Sequence, residues 1–187
     1  MVYLLPHFEM TDPGVLEDVI AASALGMLIT VGSAGLAANH IPFVFDRAAG
    51  EHGRLLGHVA RNNDVWHDHD PDHGALVVFQ VADAYISPNW YVTKQTTHEV
   101  VPTWNYAVVH VYGSITVHDD AKWVRGQAGM LTRRMESSQP VPWKMADAPR
   151  PYTDAQLRDI VGIDISVHRL VGKFKASQNR DAADLAG

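Results

Sequence analysis

The chain has 187 residues, 47% of them hydrophobic and 19% charged, with a formal net charge of −6. This size and balance describe one globular domain able to bury its own core, and the acidic total argues against a surface built to hold nucleic-acid phosphates. There is no cysteine, which excludes disulfides, thiolate metal sites and a cysteine nucleophile.

The first predicted element is a helix over about 12–25. Asp12 is suited to cap it and Pro13 to its first position, where a missing N–H costs nothing. Leu16, Val19, Ile20 and Ala24 then share a face, and Gly26 can end it. Residues 27–31 read as a short strand, 32–35 as a turn, and 38–45 as a second strand that Pro42 assigns to an edge or bulge. A third strand covers 54–60. The apolar run 75–81 reads as a strand buried on both faces. Over 109–118 the alternation is clear: Val109, Val111, Ile115 and Val117 point one way, His110, Tyr112, Ser114, Thr116 and His118 the other. Asp119 or Asp120 caps a helix to about 136 (120–136) with a stripe of Val124, Ala128, Leu131 and Met135. A proline-rich loop follows, then a short helix over 153–159 capped by Thr153. Ile163, Ile165 and Val167 alternate as a final strand, and 181–187 reads as a frayed tail. No apolar stretch approaches the ~20 residues of a membrane helix, and residues 1–10 lack the pattern of a signal peptide. The expected location is cytoplasmic. The elements together predict a mainly β fold with helices, a small barrel with helical additions, spanning 1–187 as a single domain.

Three stretches concentrate groups that recognise ligands: 57–63, 85–106 and 173–180. They supply Arg61, Lys94 and Lys175 as cations and Ser87, Thr103 and Ser177 as hydroxyls. Tyr85, Trp90, Tyr91 and Trp104 are aromatic, and Asn62, Asn105, Gln178 and Asn179 are amides. FMN needs such a set: a phosphate held by Arg or Lys with hydroxyls, a flat ring packed on aromatic faces, and a pyrimidine edge matched by amides. The same inventory suits a nucleotide, a sugar phosphate or a protein interface.

The residues also carry a resemblance. Val101, Pro102, Thr103, Trp104, Asn105 and Tyr106, with His110 and Gly113, look like the central motif of the PaiB-like family of FMN-binding negative transcriptional regulators. Tyr3, Pro6, His7 and Phe8 resemble its opening. Further matches are 39–43, 57–61 with Asn63 and Trp66, 85–88 with Trp90, Tyr91 and Lys94, then Trp143, Asp147, Ala148, Pro149 and Tyr152. Lys173, Lys175, Ser177, Gln178 and Asn179 close the series. The chain departs from the pattern at Asp64, where a proline is usual, at Val81 and Ala82 in place of Gly-Pro, and at Asn89 in place of serine. The resemblance implies a split β-barrel of the flavin reductase and pyridoxamine-phosphate oxidase type, a homodimer with FMN at its interface, and a role in transcriptional repression. DNA as a partner is implied by the resemblance only.

The same scaffold also serves flavin-dependent oxidoreductases of the NAD(P)H:flavin reductase kind, although no Gly-rich dinucleotide loop is present. A haem-binding barrel using His7, His110 or His118 is a third reading. His67, Asp68, His69, Asp70 and His73 fall in a turn and fit no structural metal site, so they read as a solvated loop. Lys122, Arg125, Arg133 and Arg134 read as the solvated face of a helix.

Overall fold

The computed structural model describes residues 2–185. The fold is mainly β. Its strands are β1 (Glu9–Met10), β2 (Leu25–Gly32), β3 (Gly35–Pro42), β4 (Val44–Asp46), β5 (Arg54–Ala60), β6 (Ala75–Ile86), β7 (Thr103–His118) and β8 (Ile160–Lys175). The α-helices among the described residues are α1 (Pro13–Ala22), α2 (Ala121–Glu136), α3 (Arg150–Arg158) and α4 (Ala182–Leu185). Hydrogen bonding orders the strands β3-β2-β6-β7-β8-β5-β4, with β1 beside β8. The chain divides into two compact units. One comprises 1–23, 79–110 and 171–187; the other comprises 24–78 and 111–170.

The second unit is a barrel, and its connectivity requires one. β3 and β4 stand at opposite ends of the strand order, yet only Phe43 separates them in sequence. A flat sheet cannot hold both conditions, so the sheet rolls until its ends meet. Phe43 sits inside the closure, 1% exposed, with its N–H donating to the Ala24 carbonyl at 2.8 Å. Gly57 of β5 leaves room for its ring, since a Cβ there would stand 2.9 Å from Phe43. The interior is aliphatic: Leu28, Leu55, Val77, Val111, Val161, Ile163 and Ile165 have no exposed surface. Full burial of such side chains stabilises by roughly 1.5–3 kcal/mol each. At Gly113 β7 passes so near β8 that a Cβ would fall 2.3 Å from the Ser166 carbonyl oxygen. α2 lies against β5 with Val124, Gln127 and Leu131 buried, and Gln127 donates to the Leu56 carbonyl at 3.2 Å.

In the first unit α1 begins as its sequence dictates: the Asp12 carboxylate accepts from the Gly14 and Val15 amides at 2.8 and 3.1 Å. Leu16 packs over Gly172, where a Cβ would stand 2.3 Å from its Cδ2. β1 pairs Glu9 and Met10 with Lys173 and Gly172. Phe8, Leu16, Ile20, Phe79, Tyr91, Ala107, Val108 and Val109 are its buried apolar residues.

The structure amends several sequence expectations. α1 ends at Ala22 with Ser23 as its cap, before Gly26 is reached. The strand expected over 38–45 is two strands broken at Phe43, because the chain changes edge there. β6 is buried on one face: Ala75, Val77 and Phe79 are inside, Leu76 and Val78 half-exposed, and Gln80 to Tyr85 exposed. In α2 the stripe runs through Gln127 in place of Ala128, and Met135 is 43% exposed. Thr153 is an interior residue of α3, buried with its hydroxyl on the Pro149 carbonyl at 3.3 Å, and Pro149 takes the cap position. The expected tail forms α4, in which Asp184 is buried; Ala186 and Gly187 lie outside the described residues.

Candidate functional site

In the first unit the end of β8 meets the start of β7, its neighbour in the sheet. Lys175 donates its ammonium protons to the Thr103 hydroxyl and, at 2.6 Å, to the Trp104 carbonyl. Its Nζ also stands 5.9 Å from the Phe8 ring centroid. Beyond β8 the chain turns through Ser177, whose φ of +60° is left-handed and uncommon outside glycine. The turn is tied on both sides. Ser177 Oγ donates to Asn105 Oδ1 at 3.0 Å. Gln178 accepts from the Ala176 amide at 2.7 Å and donates to the carbonyls of Phe174 at 2.5 Å and His7 at 3.1 Å. Such over-determination maintains a backbone conformation that costs on the order of 1 kcal/mol.

Aromatic surface borders this polar cluster. Tyr85 and Trp104 meet edge to face with centroids 5.8 Å apart, yet they remain 48% and 54% exposed, and Trp90 56%. Tyr91 is buried instead, with the Arg180 guanidinium 4.7 Å above its ring. Its hydroxyl oxygen is buried and has no hydrogen-bond partner among the described residues. The strand-to-turn segment 87–95 is capped by Ser87, whose Oγ accepts from the Asn89 amide at 3.2 Å, and Lys94 donates to the Asn89 side-chain oxygen. Asn179 is exposed at the edge of the turn.

Three residues outside the fourteen expected ones also contribute. Lys173 is 7% exposed and donates to the Tyr3 carbonyl at 2.8 Å, with its Nζ 5.3 Å from the Tyr106 ring. The Asp184 carboxylate accepts from the Thr93 amide at 2.9 Å and hydroxyl at 2.7 Å, and these bonds hold its pKa below the usual carboxylate range. His110 is half-buried, and burial lowers its proton affinity. Lys173 stood inside a motif already quoted; Asp184, in a stretch read as tail, gave no signal.

Arg61 and Asn62 belong to the second unit. Arg61 forks onto the Asp119 carboxylate at 2.6 and 3.0 Å and donates to the Arg158 carbonyl at 2.7 Å. This hydrogen bonding raises the guanidinium pKa and lowers that of Asp119. Asn62 is exposed in the turn after β5. Thus twelve of the fourteen expected residues fall in the first unit, while Arg61 is engaged by a carboxylate in the second. His118, also in the second unit, stacks on Trp123 at 4.1 Å and lies 3.8 Å from Asp164. In the His-rich loop Asp68 accepts from the Ser33 amide and hydroxyl, both at 2.9 Å, and His73 meets Asp70 at 2.7 Å. Among the described residues no group of His, Cys, Asp or Glu is arranged for a metal ion.

The residues of the first unit fit a flavin mononucleotide by their chemistry. They offer an ammonium beside hydroxyls, amide side chains, exposed aromatic faces and a buried hydroxyl without a partner. The family model described as "Putative FMN-binding domain" matches residues 2–169. An uncharacterized protein of Aspergillus fumigatus is 31% identical over 231 aligned positions, covering 100% of this chain and 88% of that protein. The protease synthase and sporulation protein PAI 2 of Bacillus subtilis is 29% identical over 184 positions, covering 98% of this chain and 85% of that one. Among solved structures, the FAD and haem binding protein from Mycobacterium smegmatis matches with a TM-score of 0.64 at 16% identity, over 95% of this chain and 78% of that chain. That likeness is one of fold.

Proposed function

The chain belongs to the FMN-binding domain family, and on that premise we propose that it is a homodimeric regulatory protein whose FMN is held by the Lys175 cluster. Its fold is the split barrel and its cofactor a flavin. The observation that carries the placement is the convergence of Lys175, Thr103, Asn105 and Ser177 on one another, beside exposed aromatic faces. In this reading Lys175 and Lys94 hold the phosphate with Ser87, Thr103 and Ser177. Trp90, Trp104 and Tyr85 wall the ring, while Asn105, Gln178 and Asn179 meet its polar edge. FMN, when bound, supplies reversible one- and two-electron redox chemistry. The protein's part is to bind the flavin, orient it and exclude water from one face.

Dimerisation is supported by the apolar surface of the first unit. Tyr3, Val92, Val101 and Phe174 are 74%, 50%, 65% and 51% exposed, in addition to the aromatic residues above. Exposed apolar residues of this kind are what a second copy of the chain would cover. A regulatory role is supported by the PAI 2 relative, whose name ties it to protease synthesis and sporulation. No helix among the described residues is long and apolar enough to cross a membrane.

The test is an absorbance spectrum of the purified protein, titration with FMN and with FAD, and light scattering at several concentrations. Yellow protein, or tight FMN binding with weaker FAD binding, together with a dimer mass, is the expected result. A colourless protein that ignores FMN overturns the flavin placement, and a monomer at all concentrations overturns the dimer.

A further inference from the structure

We propose that the cleft between α2 and α3 is a binding site for a small phosphorylated molecule, gripped by Arg125, Arg133 and Arg150. The cleft lies within the second unit and uses none of the residues assigned to FMN. It is an open groove of about 670 Å³ between α2, the turn Met145–Asp147 and α3. That volume lies in the range of small-molecule sites.

The charge of the cleft is unbalanced. Arg125 and Arg150 share one carboxylate: Arg125 donates to Asp154 Oδ1, while Arg150 Nε stands 3.9 Å from Oδ2. Arg133 has no carboxylate partner among the described residues. Three guanidiniums against one carboxylate leave the cleft cationic in a chain whose total charge is −6. Planar forks of this kind match phosphate oxygens in pairs. The concave shape and the acidic total favour a compact anion over a nucleic-acid backbone, which requires an extended basic track.

The floor of the cleft supplies a second argument. Gly126 and Gly129 lie in the interior of α2, on the same face as Arg133. Glycine at such positions destabilises a helix by about 1 kcal/mol relative to alanine. The chain's own packing does not demand either one. A Cβ on Gly126 would meet nothing within 4 Å, and one on Gly129 would make ordinary contact at 3.6 Å with Arg133 Nη1 and Met145 Sδ. Bare backbone therefore faces the opening, leaving a ligand free to approach the helix axis.

The test is calorimetric titration of the full chain, with FMN in excess and divalent cations removed. The probes are ATP, pyrophosphate, citrate and a short DNA duplex. Saturable binding of ATP or pyrophosphate is expected, with citrate weaker. Arg133→Ala and Arg150→Ala should each weaken it about ten-fold or more. Gly126→Ala and Gly129→Ala should raise the melting temperature by about 2–4 °C while weakening ATP binding, a combination that a purely structural role does not produce. Four results overturn the proposal: no binding of ATP or pyrophosphate, binding that survives both arginine changes, citrate bound as well as phosphate, or the duplex bound while ATP is not. Alanine variants that are stabilised and still bind ATP fully remove the role of the helix floor.

Discussion

The two units make opposite use of their side chains. The barrel unit places aliphatic residues inward until Leu28, Leu55, Ile163 and Ile165 have no exposed surface, and closes its tight approaches with Gly57 and Gly113. The other unit leaves Tyr85, Trp90, Trp104 and Phe174 about half exposed and holds its polar groups in a network around Lys175 and Ser177. The barrel interior is filled by its own aliphatic side chains, whereas the other unit gathers half-exposed aromatic faces beside a polar network. The aliphatic core and the proposed flavin cluster thus lie in different stretches of one chain, and perturbing each should give a different signature.

The comparison breaks first in the barrel. Ile163→Ala removes a fully buried side chain from β8 and should cost about 2–5 kcal/mol, read as a lower urea midpoint with an unchanged slope. Next, Lys175→Ala should leave that midpoint near its original value while weakening FMN ten- to a hundred-fold, about 1.5–3 kcal/mol of lost charge-assisted bonding. If it unfolds the protein instead, the cluster is a stabilising device and the contrast fails. A subtler effect concerns α4. Asp184 has its pKa depressed by the Thr93 bonds, so its contribution is present above the ordinary carboxylate range and lost as pH falls through the lowered folded-state value. Hydrogen exchange at the Thr93 amide should therefore lose protection on acidification, and Asp184→Asn should remove most of that pH dependence. The smallest effect sharpens the boundary between the units. Arg61→Ala should weaken FMN less than Lys175→Ala does, because Asp119 already engages its guanidinium; the reverse order would return Arg61 to the phosphate.

Much of the barrel is legible in the sequence because burial on one face imposes a period of two. The strand over 54–60 is found with its observed bounds, and Asp12 and Asp120 cap their helices as their side chains suggest. The extensions of β6 and β8 were not legible. Residues 82–86 are largely exposed, and 168–175 intersperse His168, Arg169, Lys173 and Lys175 among apolar positions, so neither carries the alternation of a half-buried strand. Gln127 was missed because a buried amide gives no hydrophobic signal; only its bonds to Leu56 and His58 account for it. The candidate site divides the same way. Its residue types were visible, but the meeting of Lys175 with Thr103 depends on β7 and β8 being neighbours in the sheet.

The pairing of β5 with β8 also governs how the chain is made. Residues 54–56 pair with β4, but the full ladder of 54–60 forms only with residues 160–166, so on the ribosome β5 emerges long before its longer partner exists. At about 5–20 residues per second the nascent chain waits several seconds with Leu55, Leu56 and Val59 exposed. Closure of the barrel is therefore a late event of synthesis, and shortened chains ending before β8 should be captured by chaperones or precipitate.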